Sequence, residues 1–378
     1  MSSARLTGLA LCGALAACST SSSPDDATDV VADAPAVDVA DDTPEGSADA
    51  VDDASDDAAD DAAGDATADA AADATTDAAD GSGEDADATA GVDAGDGGAD
   101  AAVDAGPSGD ERFGPVPAFA TGTQTVDEPF VGIRIVSRET ADPRPLRYHV
   151  VQIDPQAEGL HFRLTPQNGD DPRETTRQTT QAYLVEAEAQ LAINGHFFRP
   201  WPPEDAWADV IGWAVSDGDV YSPFQNGWGV ALALGADGEA AIVSRAGGDD
   251  SGMTSDADFV VDDAVGASER ILTGGEVTAT WGELHPRTAV GVDDDGDVVF
   301  MVVDGRQDGV SEGMTTPEVA EVMAAFAVVD AINLDGGGST TLVVADPEPR
   351  LVNTPVGYVL PNSERDNGSN LAVFARPR

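Results

Sequence analysis

One stretch of this chain cannot build a core, and that limits where everything else must happen. Between Ser19 and Asp110 the sequence is almost wholly Ala, Asp, Gly, Thr, Ser, Val and Pro, with 28 acidic residues and no basic one. Nothing bulkier than valine is available for burial, so apolar contacts cannot offset the entropy of ordering the chain. Like charges also repel along its length, which extends it. The expectation is a disordered acidic linker over 18–110, with all tertiary structure confined to 111–378.

The residues before the linker read as an export signal. Arg5 precedes the apolar run "LTGLALCGALAAC", which is short for a membrane span and suited to a signal peptide. The ending Leu15-Ala16-Ala17-Cys18 resembles a bacterial lipobox. That resemblance implies cleavage after residue 17, lipidation of Cys18, and a lipid anchor in a membrane. With Ser19 next, the implied location is the cell envelope, as an outer-membrane lipoprotein with an extracytoplasmic domain on a flexible leash.

Composition also removes several chemistries. All 18 basic residues are arginines, so no lysine can form a Schiff base or hold a phosphate in a Walker-type loop. Both cysteines lie within the first 18 residues, leaving the rest without a thiol nucleophile or disulfide. The acidic excess argues against nucleic acid as a partner.

Within 111–378 the pattern is strand-rich. Residues 130–137, 146–154 and 160–164 alternate or run apolar between Pro, Gly and Asp. Three stretches, 209–221, 227–244 and 287–304, each carry an Asp-Gly turn between apolar runs and predict hairpins. "DDDGD" (293–297) fails as a calcium loop: counting back from Gly296 puts Gly291 at the first ligand, and Val302 replaces the closing glutamate. A weak helical pattern covers 172–188. A stronger helix begins near Thr316 as cap, with Pro317 in the first turn and Val319, Val322, Met323 and Phe326 on one face. The fold class expected is α+β: a mixed, strand-rich sheet with hairpins and a few covering helices, as a single domain.

"INLDGGGSTTLVV" (332–344) sets an aspartate, three glycines and three hydroxyls between apolar runs. It reads in two ways. It is a tight turn capped by Asp335, or it is a carboxylate held beside an anion nest, in which backbone free of Cβ atoms approaches a ligand. The missing lysine and following helix exclude a P-loop.

That stretch strongly resembles the signature of the phosphodiester glycosidase family. "AINGHFF" (192–198), "HPRTAVGVD" (285–293) and "VVDGRQDGVSEGMTTPEVAEVM" (302–323) resemble further family elements in the expected order, and "SERDNGSNLAVF" (363–374) resembles its Glu-Arg…Asn segment. The resemblance covers about residues 130–376. It implies a hydrolase that cleaves a glycosyl phosphodiester such as a GlcNAc-1-phosphodiester, in envelope or extracellular polysaccharide. A non-catalytic surface carbohydrate-binding module is the alternative.

On that reading the catalytic residues are Asp335, as nucleophile or general base, and Asp304 as second carboxylate, with Glu312 as its rival. A phosphate leaves readily, so arginines matter more than a strong acid. Arg287 and Arg306 are expected to clamp it. Asn194, His196, Asn333, Gly336, Gly337, Gly338, Ser339, Thr340, Arg365 and Asn370 complete the substrate-binding set. The rival readings are structural: Asp304-Gly305 as a plain turn with Arg306 solvated, Arg287 paired to a structural acid, and Asn194 and Asn333 bonded to neighbouring loops. Trp201 and Trp207 lie in an apparent insertion suited to a lid or sugar platform. His149 and His161 read as structural, whereas His285 could reach the site. No cofactor motif is present; a calcium ion on Asp and backbone oxygens is left open.

Overall fold

The computed structural model describes residues 111–357 and 362–378. The expected signal peptide, Cys18 and the expected acidic linker lie outside the described residues.

The organising element is the strand Val298–Val303, apolar at every position because both of its faces are covered. Val298, Phe300 and Val302 point into one hydrophobic cluster, while Val299, Met301 and Val303 point into another. It lies inside an eight-stranded sheet ordered Thr123–Phe130, Ile133–Thr140, Leu146–Ile153, Val298–Val303, Arg287–Asp293, Val328–Asn333, Glu269–Thr273, Glu276–Val277.

The first cluster joins this sheet to two five-stranded sheets. Leu191, Ile193, Leu342, Val344, Leu371 and Val373 come from one of them, and Leu232, Leu234 and Val265 from the other. The second cluster lies on the opposite face, where the helix Thr316–Ala325 buries Val319, Ala320 and Met323. A short helix, Thr180–Ala187, covers the sheet containing Leu191–Asn194 through Tyr183 and Leu184. A three-stranded sheet (Thr175–Thr176, Trp207–Val210, Phe198–Arg199) completes the set.

All three predicted hairpins form. They pair Ala214–Ser216 with Asp219–Ser222, Val230–Leu234 with Ala240–Ser244, and Arg287–Asp293 with Val298–Val303. The fold class needs correcting in two respects. Among the described residues every strand ladder is antiparallel rather than mixed, and two α-helices among so many strands make this part mostly β, so α+β describes it only loosely. The cap of the second helix also moves by one residue. Thr315, not Thr316, accepts from the Glu318 N–H, and the Glu318 carboxylate accepts from the Thr315 N–H in return. Arg144 then fixes Glu318 through both carboxylate oxygens, at 2.8 and 2.6 Å.

Candidate active site

The family-like segments meet where neighbouring strands of the large sheet end. Ala289 pairs with Asn333, and the Leu334 N–H donates to Thr288 O at 2.9 Å. Two residues further on, that register sets Asp335 across from Arg287. From the adjoining sheet, Gly195 O accepts the Asp335 N–H at 3.2 Å, and Asn194 Nδ2 donates to Asp335 O at 2.7 Å. Asn194 Oδ1 accepts from Thr288 Oγ1 (2.7 Å) and from the Thr341 N–H (3.1 Å). Asp335, only 9% exposed, is therefore anchored by two sheets at once. Asn194 is fully buried in this bracing, so its expected role on sugar hydroxyls gives way to that of a clamp on the Asp335 main chain.

The three glycines have a different task from the one the sequence suggested. Several loop amides turn inward: Gly337 N–H to Pro286 O, Ser339 N–H to Gly336 O, and Thr340 N–H to Gly337 O. An open nest of donors is therefore not what the glycines provide. They provide room. A Cβ on Gly338 would lie 2.6 Å from Arg365 Nη2, and one on Gly337 would lie 3.4 Å from Arg306 Nη1. A Cβ on Gly336 would meet Pro286 O at 2.7 Å. Two guanidinium groups rest against successive glycines: Arg365 needs the missing Cβ at Gly338, whereas at Gly337 it is the left-handed φ of 57° that favours glycine, with Arg306 at ordinary contact distance.

Arg306 projects from a loop in the left-handed conformation, φ 56°, an unfavourable one for a side chain larger than glycine's. The loop is pinned through Ser311 Oγ, which donates to Asp304 O at 2.6 Å, and Gln307 Nε2, which donates to Thr354 O at 3.0 Å. Arg306 Nη2 donates to His285 Nδ1 at 3.2 Å, which brings His285 to the site as its position had suggested. Arg365 donates to Ser339 Oγ at 3.3 Å, and its guanidinium sits 3.7 Å from the Trp201 ring centroid. Trp201 thus backs an arginine. Trp207 instead lies in the strand Trp207–Val210, with its carbonyl accepting from Arg177 Nε.

Arg287 is structural, though its partners are main-chain carbonyls and not the structural acid expected. It is buried, and its guanidinium donates to Met314 O (3.1 Å) and Glu283 O (2.8 Å) beside the Trp281 ring. Burial lowers its pKa to about 10, against the pull of Glu269 and Glu283, and nearby Arg306 lowers it further. The phosphate clamp is better filled by Arg306 and Arg365.

Asp304 is displaced as well. Continuing the alternation of its strand puts its side chain on the side of Val302 and Phe300. There Oδ1 accepts from the Thr354 N–H (2.8 Å) and from Asn353 Nδ2 (3.1 Å). Asn353 also donates to Thr340 O and accepts the Leu342 N–H, tying Asp304 to the far side of the glycine loop. Burial raises the Asp304 pKa to about 6, opposed by the Thr354 and Asn353 hydrogen bonds. Nothing in the sequence marked Asn353, whose proline-rich neighbourhood reads only as a turn.

Two further expectations are overturned by burial. His196 Nε2 lies 2.8 Å from the donating Gly266 N–H and 3.1 Å from Trp213 O, and Nδ1 lies 2.9 Å from Ser369 Oγ. Burial lowers its pKa to about 4, so this neutral ring links sheets rather than contacting substrate. Asn370 accepts from Thr180 Oγ1 (2.8 Å) and donates to Gln178 O (3.3 Å), holding the start of the first helix. Glu312 is exposed, with its N–H bonded to Pro145 O.

Unspent polar capacity gathers around the loop. Asp304 Oδ2, Asn333 Oδ1, Thr340 Oγ1 and Thr341 Oγ1 are buried without a hydrogen-bond partner among the described residues. Native interiors leave few such groups, and functional sites are where they collect. No three His, Cys, Asp or Glu side chains among the described residues gather closely enough to hold a metal ion.

Residues 187–374 match the phosphodiester glycosidase family. A mouse N-acetylglucosamine-1-phosphodiester alpha-N-acetylglucosaminidase is 27% identical over 207 residues, covering 48% of this chain and 37% of the mouse protein. The cattle protein of the same name is 48% identical over 61 residues, 16% of this chain and 11% of that one. The chain thus spans little more than a third of the mouse relative's length. Among solved structures, the zebrafish protein's catalytic domain, auto-inhibited by its pro-peptide, aligns with a TM-score of 0.51 at 20% identity. That alignment covers 68% of this chain and 89% of the zebrafish one, and it speaks to the fold.

Proposed function

Residues 187–374 belong to the phosphodiester glycosidase family, and from that premise we propose that this chain hydrolyses the bond between a sugar C1 and a phosphodiester oxygen. A GlcNAc-1-phosphodiester in envelope or extracellular polysaccharide is the substrate class in view. The observation that carries this reading is the side-chain-free tripeptide after Asp335, with Arg306 against Gly337 and Arg365 against Gly338.

Cleavage adds water across the C1–O bond. The sugar takes the hydroxyl, and the bonding electron pair leaves on the phosphate monoester. The barrier lies in the positive charge growing on the ring and the negative charge growing on phosphate. Asp335, on a backbone braced by two sheets, supplies the carboxylate that attacks C1 or draws the proton from the attacking water. Arg306 and Arg365 supply fixed positive charge where the phosphate departs, so no strong general acid is required. Asp304 acts one step back, holding the Arg306 loop and Asn353 in place. The envelope location rests on the sequence pattern ending in Cys18.

The test is release of free sugar by the full chain from a panel of sugar-1-phosphodiesters. The reading predicts turnover with at least one donor and about 10³-fold less by Asp335→Asn, which still binds. Saturable binding of these donors by wild type with no release of sugar from any of them would make the protein a carbohydrate-binding module.

A further inference from the structure

The first three strands of the large sheet build a second polar site that shares no residue with the glycine loop. Thr125 pairs with Ser137, which pairs with His149. One row along, Thr123 pairs with Glu139, which pairs with Arg147. Residues paired directly across strands project from the same face, so these six form two parallel polar rows. They line a cavity of about 280 Å³, closed on one side by Val352.

Three features make this more than a surface hollow. His149 is only 4% exposed, its Nδ1 is 2.8 Å from Ser137 Oγ, and its Nε2 has no partner among the described residues. A buried nitrogen left unsatisfied is costly, and an acceptor brought by a ligand would recover that cost. Positive charge also collects here, in a chain poor in it: Arg147 lines the cavity and Arg350 lies near enough to act on the imidazole, while the Arg138 guanidinium turns to the other face of the sheet, over the Phe119 ring. Glu139, paired with Arg147, is the one carboxylate in the lining. Burial, then Arg147 and Arg350, lower the His149 pKa to about 4, so the ring is neutral at pH 7. When Ser137 Oγ–H donates to Nδ1, Nε2 carries the proton and can donate it.

We propose that this cavity is a second binding site, separate from the hydrolytic one, for a small oxyanion-bearing ligand such as a phosphorylated or uronic-acid saccharide. Arg147 meets the oxyanion, His149 Nε2 orients it, and the hydroxyls of Thr123, Thr125 and Ser137 meet the ligand's own hydroxyls.

The full chain carrying 15N-labelled histidine tests this by NMR, titrated separately with inorganic phosphate and with glucuronate. Of the four histidines, His149 is assigned through His149→Gln and His285 reports on Arg306. The expected result is a saturable shift of the His149 ring signals, with affinity weakened about tenfold in Arg147→Gln and about threefold in the exposed Arg350→Gln. Which probe binds more tightly identifies phosphate or carboxylate as the ligand group. The proposal falls if neither probe moves the His149 signals, or if Arg147→Gln leaves their titration unchanged. Shifts confined to His285 would count against it too, while leaving the hydrolytic site intact.

Discussion

The strands Arg287–Asp293 and Val298–Val303 have an aspartate- and glycine-rich segment at each end, and the two ends behave differently. At the hairpin end, Asp293 Oδ1 accepts the N–H groups of Asp295 (3.0 Å) and Asp297 (2.8 Å), so the turn closes on itself. Asp297 meets Arg112 at 2.7 Å, and a Cβ on Gly296 would touch nothing within 4 Å. At the other end, Asp304 and Asp335 are held by residues from distant parts of the chain. Gly305, Gly336 and Gly338 there have no room for a Cβ, and buried polar atoms are left over. Apart from Arg112, which reaches Asp297 and Asp295 O, the turn makes its hydrogen bonds within itself; the site draws its support from distant segments and keeps capacity in reserve.

Replacing the acid at each end breaks this comparison most sharply. Asp335→Asn should lower turnover by about 10³-fold, in the range of losing a positioned base, with folding retained. Asp293→Asn should leave turnover alone and cost about 1 kcal/mol of stability through weaker turn hydrogen bonds. Comparable activity losses in both variants would remove the ground for separating the two ends.

Next comes Gly338→Ala. The added methyl would sit 2.6 Å from both Arg365 Nη2 and Gly357 O, and a carbonyl of the backbone cannot swing aside as a side chain can. Turnover should drop about 10²-fold through misplaced phosphate contacts, with a stability loss of about 1–3 kcal/mol. Wild-type kinetics in this variant would mean that Arg365 does not act from against the loop.

The acids flanking Val298–Val303 sharpen the contrast through pH. Burial raises both Asp297 and Asp304 from 3.8 to about 6. A carboxyl whose folded pKa is raised holds its proton more tightly in the folded state, so its stabilising share is complete below pH 4 and lost as pH climbs to 6. Each shift is worth on the order of 2–3 kcal/mol. Asp263, raised to about 7, adds a slope of the same sign. Thermal melts should show a shallower fall in Tm between pH 4 and 6 for Asp304→Asn and for Asp297→Asn. Only Asp304→Asn should also slow turnover, because only Asp304 supports the Arg306 loop. An unchanged slope in both would refute the assignment of these two protons.

Much of this contrast was open to sequence reading, for definite reasons. Hairpins at 209–221, 227–244 and 287–304 were legible because Asp-Gly turns and two-residue periodicity are local signals. Motif resemblance singled out Asp335, Arg306 and Arg365, which the structure places round one loop, and the calcium loop failed on its spacing. What was hidden is which face a residue takes and who its distant partner is. Arg287 sits in a family-like strand, yet its guanidinium turns to Met314 O and Glu283 O. Asp304 ends its strand on the side away from the helix, and Asn353, 49 residues away, completes it. His196 and Asn370 looked like ligand-binding groups until burial between packed elements consumed their hydrogen bonds. Such long-range pairings depend on how sheets stack, which no short window of sequence encodes.

The smallest effect is expected from Gly296→Ala, and it tests the comparison from its quiet side. Gly296 has φ 82° and open space where an added methyl would point, so the cost is confined to holding an L-residue in the left-handed region, about 1 kcal/mol. The Asp293 hydrogen bonds do not pass through that Cβ, so the turn should keep its shape. Denaturant unfolding should show this modest loss, and turnover should equal wild type. A fall in turnover with the fold intact would mean that strain at the hairpin travels along Val298–Val303 to Asp304 and the Arg306 loop. The sheet would then act as a lever between its two ends, and the hairpin would belong to the site.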